Sequence, residues 1–492
     1  MLYSLTLSLP LLLLPLGVQA ATETVHGAVI FSRHGDRSAK VFPPTKLTAL
    51  GKNQLYDSGE FYRSRYIGNS STVIPGISYR EFNSAQLYAE APDQNLLVTS
   101  GQAFLQGLYP PITGSSAAVT TETLANGSVI SLPLAGYQYT TIHTVSESDP
   151  STIWLKGDDG CPDFTAKSEE FYLSEQYLHL QDTTKSFYES FSDILEGVFS
   201  SRQLSYHNAY AIYDYINVGS IHNATIADAV SSEQLFQLRT LADSHELGLN
   251  GNTSSTSTVA LISGRTLANK IITQLSTVVD SKGEDNKLSL LVGSYDTFLS
   301  FFALSGLSAA YENFTGLPDY ASTLAFELLS YQDNAAFPRK TEDLYVRFLF
   351  RNGTNSDIKE YPLFGNTDVV VSWNDFNEKM ASIAVDSVSE WCTLCSSDES
   401  ICSIDSDKSV DTADTTDTKS GGISKAVAGV IGALVALAVV GLVLAVAMIG
   451  CGLRFVSRKN NADAVVSGGV QKSAVDDFDS ERSVKAVFPN KV

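Results

Sequence analysis

The stretch Ala28-Val29-Ile30-Phe31-Ser32-Arg33-His34-Gly35-Asp36-Arg37 decides how this chain can fold. Its first four residues form a continuous apolar run, which is typical of a strand buried in a parallel sheet. The residues that follow place two guanidinium groups around one imidazole at the strand's carboxyl end, where open α/β sheets bind ligands. Arginines suit phosphate oxygens, and a histidine between them could accept a phosphoryl group. The alternative is a solvated loop in which Arg33 and Arg37 pair with acidic neighbours.

Further patterns place this strand in an α/β domain. Residues 288–292 form a second continuously apolar run, and residues 345–350 alternate before a turn at Asn352-Gly353. Residues from about 166 to 276 carry Leu, Ile and Tyr at helical spacing with few Gly or Pro. We therefore predict an α/β core with an insertion at about 120–285 that is mainly helical after 166.

Composition narrows the class of protein. The chain has 492 residues, of which 43% are hydrophobic and 18% are charged, as expected for a globular protein with a large core. Its 33 Lys and Arg against 54 Asp and Glu give a formal charge of −21 at pH 7. A nucleic-acid-binding protein needs a basic surface, so this charge argues against a nucleic-acid partner.

Both ends of the chain carry targeting signals. Residues 1–20 combine an apolar run with small residues at their end, which predicts a secretory signal peptide cleaved near Ala20. Residues 426–453 contain no charge and are followed by a basic cluster, which predicts one transmembrane helix and a cytosolic tail at 454–492. The sequence therefore predicts a single-pass type I membrane protein whose ectodomain is extracellular or luminal.

The predicted ectodomain spans residues 21–395, and a Ser/Asp/Thr-rich stalk at 396–425 joins it to the membrane helix. Six Asn-x-Ser/Thr sequons lie before the predicted membrane span, which indicates a glycosylated ectodomain. The sequon asparagines are Asn69, Asn126, Asn223, Asn252, Asn313 and Asn352.

Four cysteines of the ectodomain and the stalk favour structural disulfides. They are Cys161, Cys392, Cys395 and Cys402. Residues 391–395 also match the Trp-Cys-x-x-Cys pattern of redox sites, but a redox site needs a strand before the motif and a helix that opens at its first Cys. A four-Cys zinc site is disfavoured in an oxidising compartment, and no two histidines have metal-ligand spacing. We predict disulfides among these cysteines, with the pairs left open, and no metal or other cofactor.

Arg33-His34-Gly35-Asp36-Arg37 resembles the Arg-His-Gly-x-Arg signature of the histidine acid phosphatases, which belong with the phytases to the phosphoglycerate-mutase-like superfamily. Residues 47–66 and 100–110 resemble two further motifs of this family. The resemblance is dense over 29–111, returns around 288–329, and is vague in the helical middle. It implies a three-layer α/β core of the phosphoglycerate mutase type.

The resemblance also implies roles for individual residues. His34 would accept the phosphoryl group of a small phosphomonoester, and Arg33 and Arg37 would hold the phosphate oxygens. Asp296, in the stretch Gly293-Ser294-Tyr295-Asp296-Thr297, would protonate the leaving oxygen. Tyr295 takes the place of a histidine in relatives and would offer one neutral O–H to the phosphate.

Three departures from the family pattern leave an alternative open. Residues 89–96 lack an arginine that relatives carry, Tyr295 replaces a histidine, and Ala39 replaces a proline. Each lost donor costs ~10²–10³ in rate, whereas phosphate monoester hydrolysis can be accelerated by up to ~10²¹. We therefore expect a phosphomonoester hydrolase. The alternative is a weakened or inactive pseudophosphatase that binds an anion or a partner at the cell surface.

Overall fold

The computed structural model describes residues 22–406, apart from 69, 114–119, 252–257 and 333. The predicted signal peptide, transmembrane helix and cytosolic tail lie outside these residues. None of the helices within the described residues is both long enough and apolar enough to cross a membrane.

The described part of the chain contains ten strands. They are β1 Thr22–Arg33, β2 Leu87–Pro92, β3 Thr121–Thr123, β4 Val129–Ser131, β5 His143–Val145, β6 Leu288–Gly293, β7 Thr323–Gln332, β8 Leu344–Arg351, β9 Lys359–Glu360 and β10 Val370–Ser372. The predicted strands at 28–31, 288–292 and 345–350 are confirmed as parts of β1, β6 and β8.

The α-helices follow the same chain order. They are α1 Ala49–Tyr66, α2 Asn95–Leu108, α3 Pro162–Glu169, α4 Glu175–Thr183, α5 Lys185–Glu189, α6 Ser192–Leu195, α7 Ala209–His222, α8 Ala224–Ala229, α9 Ser232–Asn250, α10 Ile262–Asp280, α11 Tyr295–Leu304, α12 Leu307–Ala310, α13 Trp373–Ile383, α14 Val388–Cys395 and α15 Ser400–Ser406. Helices α3 to α10 lie between β5 and β6, in the stretch whose spacing predicted helix.

One mixed sheet forms the centre of the domain. Its strand order is β10-β8-β7-β1-β6-β2-β5, and β9 pairs with β8. The strands β1, β6, β2 and β5 are parallel, whereas β7 lies antiparallel to β1 and β8 antiparallel to β7. The strand β1 therefore joins the parallel half of the sheet to the antiparallel half, and it is buried along nearly its whole length.

The two faces of the sheet carry separate apolar layers because side chains alternate along β1. Ala28 and Ile30 belong to the layer formed with α1 and α2. Val29 and Phe31 belong to the other layer, which includes α10, α11 and much of the helical insertion. The fold is thus α/β with helices on both faces of a mixed sheet.

The C-terminal helices extend the fold beyond the predicted boundary at Cys395. The disulfides join Cys161 to Cys395 and Cys392 to Cys402, so the two cysteines of the Trp-Cys-x-x-Cys motif pair elsewhere. Residues 400–406 form α15, whose Ile401 and Cys402 pack in one small core with Cys161 and Cys395. Structural disulfides are therefore confirmed, and the second of them ties α15, which lies after residue 396, to α14.

Candidate active site

The two predicted catalytic segments leave the sheet side by side. Arg33, the last residue of β1, lies opposite Gly293, the last residue of β6, in the parallel register of these neighbouring strands. His34 follows β1 directly, and Asp296 lies in the first turn of α11, which follows β6. The fold therefore brings together, at one edge of the sheet, segments more than 250 residues apart in sequence.

The backbone fixes the imidazole of His34 inside the protein. The side chain is fully buried, and its Nδ1 lies 2.9 Å from the carbonyl oxygen of Gly35. A carbonyl only accepts, so Nδ1 carries the proton and a neutral ring has its lone pair on Nε2. The carbonyl of His34 accepts from the N–H of Ala321, 3.0 Å away. The ring is thus held in the tautomer that a nucleophilic Nε2 requires.

The loop that carries His34 lies directly on the start of α1. A Cβ atom on Gly35 would lie 2.4 Å from the carbonyl oxygen of Gly51, and one on Gly51 would lie 2.1 Å from that of Asp36. Both distances are too short for any side chain, so glycine is required at both positions. Thr48 caps α1 by accepting from the Gly51 N–H and also contacts the Asp36 carboxylate. This close contact makes the signature loop and the start of α1 one structural unit.

The Arg33 guanidinium points across the end of the sheet. It donates to the carbonyl oxygen of Pro318 and lies 4.7 Å from the ring centre of Tyr320 and 5.3 Å from that of Tyr295. Burial raises the pKa of both tyrosines, so their hydroxyls stay neutral. Arg33 is thus held by one carbonyl and two aromatic rings rather than by a carboxylate.

The Arg37 guanidinium, by contrast, has a buried acidic partner. Its Nη1 lies 3.0 Å from Oδ1 of Asp214, and its Nη2 donates to the hydroxyl of Tyr210 at 3.2 Å. The other carboxylate oxygen of Asp214 accepts from the backbone N–H of Lys40 at 2.8 Å. An anion that binds Arg37 must therefore compete with, or share the guanidinium with, this carboxylate.

Sequence reasoning missed both partners of Arg37. Tyr210 and Asp214 belong to a tyrosine-rich stretch of α7 that the sequence indicated only as a helix with a core side and a surface side. Four residues separate them, so both project from the same helical face. The sequence did contain one indication, an aspartate on the apolar face of a helix. A buried carboxylate is costly unless a cation pairs with it, so Asp214 indicated a cationic partner elsewhere in the chain.

The buried carboxylate of Asp36 links the signature loop to the other end of α7. Its Oδ1 lies 2.7 Å from Nε2 of His222, the last residue of that helix. His222 is 38% exposed at its side chain, whereas Asp36 is fully buried. The helix α7 therefore contacts residues 33–37 at three places, through Tyr210 and Asp214 in its first half and through His222 at its end.

Tyr295 does not direct its hydroxyl toward the phosphate-binding arginines. The O–H donates to Oε2 of Glu246 at 2.7 Å, and Oε1 of Glu246 lies 2.8 Å from Nδ1 of His245. Burial alone would raise the pKa of Glu246, but the hydrogen bonds with His245 and Tyr295 and the electrostatic interactions with His245 and Lys40 lower it. The one proton of the phenol is committed to a carboxylate. That Tyr295 offers its O–H to the phosphate stays a prediction, and it requires the hydrogen bond to Glu246 to break.

Asp296 is half-buried at the N-terminus of α11, where its Oδ1 accepts from the N–H of Thr297 at 2.8 Å. Burial would lower the pKa of nearby Lys156, but Asp159, Asp158 and Asp296 outweigh it and raise the pKa. Lys156 thus stays charged beside the predicted proton donor.

Residues 89–96 contain no arginine in place of the single one that the family pattern has there. The strand β2 instead places Glu90 against Lys270 of α10, with 2.6 Å between Nζ and Oε2. Arg80, the only arginine between Arg65 and Arg202, is exposed. Arg33 and Arg37 therefore remain the two signature arginines that could hold a phosphate at this edge of the sheet.

Two adjoining clefts open at this edge. The inner cleft, of about 280 Å³, reaches Arg33, Tyr210, Asp214 and Tyr320. The outer cleft, of about 610 Å³, lies beside the inner one. Four residues line both clefts, namely Arg239, Leu317, Asn352 and Ser356. Arg239 already contacts Asp243 and Asp319, at 2.8 and 3.2 Å.

The sequons occupy different environments. Asn126, Asn223 and Asn313 are exposed, whereas Asn352 is half-buried between the two clefts. Asn69 and Asn252 lie outside the described residues. Among the residues that the structure describes, no group of three His, Cys, Asp or Glu side chains is arranged to hold a metal ion.

Comparison with known proteins identifies the family of this chain. The family model of the histidine phosphatase superfamily (branch 2) matches residues 41–351, more than half of the chain. Prostatic acid phosphatase of Rattus norvegicus is 28% identical over 380 residues, which cover 73% of this chain and 86% of that protein. Lysosomal acid phosphatase of Xenopus laevis is 24% identical over 342 residues, covering 67% of this chain and 70% of that protein.

A solved phytase has the same fold. The crystal structure of the Klebsiella sp ASR1 phytase aligns with a TM-score of 0.51 at 11% identity and covers 74% of this chain and 96% of its own. At that identity the likeness concerns the fold alone. The chain belongs to branch 2 of the histidine phosphatase superfamily.

Proposed function

We propose that this protein hydrolyses small phosphomonoesters through a phosphohistidine formed on His34, with Asp296 as the general acid. The observation that carries the proposal is the pairing of Arg33 with Gly293 in the register of β1 and β6. It supports a site in which a nucleophile and a proton donor face one ester from two neighbouring strand ends. The acid phosphatase relatives support the same reaction class.

In the first step, the Nε2 lone pair of His34 forms a bond to phosphorus while the bond from phosphorus to the ester oxygen breaks. Arg33 and Arg37 donate to the phosphoryl oxygens and stabilise the charge that spreads over them. Asp296 gives its proton to the departing oxygen, so the alcohol leaves neutral. The hydrogen bond from Nδ1 to Gly35 keeps the ring aligned as it becomes positively charged.

In the second step, water breaks the nitrogen–phosphorus bond. Asp296, now a carboxylate, takes a proton from the water as its oxygen attacks phosphorus. Inorganic phosphate leaves, His34 regains its lone pair and Asp296 its proton. The cycle thus needs no group beyond those that this edge of the sheet supplies.

The size and charge of the cleft beside Arg33 favour small substrates. The inner cleft measures about 280 Å³, near the lower limit of ordinary ligand pockets. Arg239, its other cation, is neutralised by Asp243 and Asp319. The formal charge of −21 also repels polyanions at long range. We further propose that the domain is luminal or extracellular and is anchored by a helix at 426–453.

A pseudophosphatase is the second candidate, and the Arg37–Asp214 pair favours it. A carboxylate 3.0 Å from a phosphate-binding guanidinium opposes a second anion. Tyr295, in the place of a histidine, gives its proton to Glu246. Such a site could bind an anion weakly without turning it over.

Phosphate release from 4-nitrophenyl phosphate by wild type and by His34→Ala separates the two candidates. We expect His34→Ala to reduce release at least ~10³-fold, as loss of a nucleophile does. The matched control is His179→Ala, an exposed histidine on α4, which should keep the wild-type rate. Equal rates in wild type and His34→Ala would contradict the proposal.

A further inference from the structure

The peptide unit between Gly35 and Asp36 makes the hydrogen bond that orients the nucleophile. Its carbonyl oxygen accepts from Nδ1 of His34 at 2.9 Å, and its N–H donates to Oε1 of Gln54 at 2.8 Å. A peptide unit is planar and rigid, and this one is trans, so its C=O and its N–H point in opposite directions. Any rotation of this unit therefore moves both hydrogen bonds together.

The helix α1 sets the position of the Gln54 side chain. Gln54 lies three residues after Gly51, so the two residues share one side of α1, and Gly51 packs directly on Gly35. Gln54 is half-buried and lines the inner cleft together with Arg33. The helix thus places one side-chain oxygen against the backbone that follows His34, at the wall of the cleft.

The other contacts of Asp36 do not fix this peptide unit. The carbonyl of Asp36 accepts from the N–H of Thr48 at 3.0 Å, and its carboxylate contacts Thr48 and His222. These contacts hold the side chain and the following peptide unit, not the unit that contains the Gly35 carbonyl. Gly35 itself has no side chain that would restrict rotation. Among the described residues, Gln54 is the acceptor that holds the Asp36 N–H.

We propose that Gln54 is a positioning residue, which aligns the His34 imidazole for attack on phosphorus by holding the Gly35–Asp36 peptide unit through Oε1. This inference deepens the proposed function and rests on it, since His34 is the nucleophile only there. Asp36 is fully buried, so without Oε1 its N–H must turn toward another acceptor, and the Gly35 carbonyl turns with it. A misplacement of about 1 Å at a reacting atom can cost ~10²-fold in rate.

Vanadate and inorganic phosphate separate the alignment of the nucleophile from the binding of the anion. Both are tetrahedral oxyanions that the signature arginines can hold in the same way. Vanadium also accepts a fifth ligand, so it bonds to the lone pair of an aligned Nε2 much as phosphorus does in the transition state. Isothermal titration at mildly acidic pH, where both anions are chiefly singly charged, gives the two affinities. Their ratio reports the alignment of His34 whether or not the protein turns over an ester.

Four variants of the full-length protein are compared with wild type. Gln54→Met keeps the length of the side chain but removes the acceptor. Gln54→Glu keeps an oxygen for the Asp36 N–H, and its added charge weakens the binding of both anions and so cancels in the ratio. Gln106→Met makes the same replacement at an exposed position of α2 that lines neither cleft, and is the matched control. His34→Ala gives the ratio without a nucleophile.

We expect Gln54→Met to lower the ratio of vanadate affinity to phosphate affinity about 10- to 100-fold, toward that of His34→Ala. Gln54→Glu and Gln106→Met should stay close to wild type. An unchanged ratio in Gln54→Met, an equal loss in Gln54→Glu, or a wild-type ratio no higher than that of His34→Ala would overturn the proposal. Failure of the proposed function is recognised separately, by equal phosphate release from wild type and His34→Ala.

Discussion

The replacement Asp214→Asn tests how the phosphate-binding arginines are held. The new side-chain amide would keep an oxygen for the Lys40 N–H but would remove the negative charge beside Arg37. The side chains of Arg37 and Asp214 are 0% and 4% exposed, so bulk water cannot solvate the guanidinium once the carboxylate is gone. The variant therefore contains a buried guanidinium whose main ionic partner is gone, at the place where a phosphate binds.

Two opposite effects follow from this geometry. Removing one partner of a buried ion pair destabilises a fold by ~3–5 kcal/mol, and the remaining amide oxygen places this variant toward the lower value. Phosphate binding should become tighter, because a phosphate charge ~5 Å from a carboxylate is repelled by roughly 3 kcal/mol at an effective dielectric constant of ~20. We expect inorganic phosphate to bind about 10- to 100-fold more tightly, and saturating phosphate to recover part of the lost stability.

Isothermal titration with phosphate and thermal unfolding with and without phosphate measure both effects. Glu170→Gln is the matched control, because Glu170 is 53% exposed and pairs with Lys167, away from both clefts. It should change the phosphate affinity by less than ~threefold, since exposed pairs contribute little. Weaker phosphate binding in Asp214→Asn would refute the reasoning and would show that Asp214 orients Arg37 toward the phosphate.

Three more predictions concern groups around the site and the fold. Tyr295→Phe removes a hydrogen-bond donor from buried Glu246 and should lower the free energy of unfolding by ~1–3 kcal/mol. The rate of phosphate release should stay within ~threefold of wild type. A loss of turnover would show instead that the hydroxyl acts on the phosphate. Cys395→Ser breaks a disulfide that spans 234 residues, whereas Cys392→Ser breaks one that spans 10. Because a longer closed loop restricts the unfolded chain more, Cys395→Ser should lower the free energy of unfolding by ~3 kcal/mol more than Cys392→Ser, as measured in denaturant. Equal losses in the two variants would contradict this. Burial, and to a smaller extent the charge of Lys287, lowers the pKa of His26 from 6.5 to about 4. The unfolded chain therefore binds a proton at His26 before the folded protein does. The contribution of neutral His26 to the free energy of unfolding is complete above pH 6.5 and is lost as the pH falls toward 4. His26→Gln should remove about 2 kcal/mol of this acid loss in unfolding measured from pH 7 to 4, and an unchanged pH profile would contradict the assignment.

The sequence predicted the parts of the fold that local pattern determines. Apolar runs identified β1 and β6, and the motif at the end of β1 placed His34 at a ligand-binding edge of the sheet. Asp296 could be placed only through the family resemblance. The register that sets β1 beside β6 explains why this placement brings it to the same edge.

Contacts between distant segments could not be predicted from one sequence. Asp214 follows Arg37 by 177 residues, and nothing local distinguishes it from a surface aspartate until α7 is packed against the signature loop. The disulfide pairs remained open for the same reason, since proximity of Cys161 and Cys395 depends on tertiary structure. The hydrogen bond from Tyr295 to Glu246 could not be predicted because Glu246 belongs to another helix, α9.

Trapping a phosphoryl group on His34 tests the central claim most directly. In Asp296→Asn, the first step can proceed with a substrate whose leaving group needs no proton, whereas the attacking water has no base. We predict that 4-nitrophenyl phosphate, quenched under alkaline conditions within seconds, leaves one acid-labile phosphoryl group on the peptide that contains His34, as found by mass spectrometry. A variant that releases 4-nitrophenol at the wild-type rate without any phosphorylated peptide, or that carries the phosphoryl group on another residue, would contradict the account.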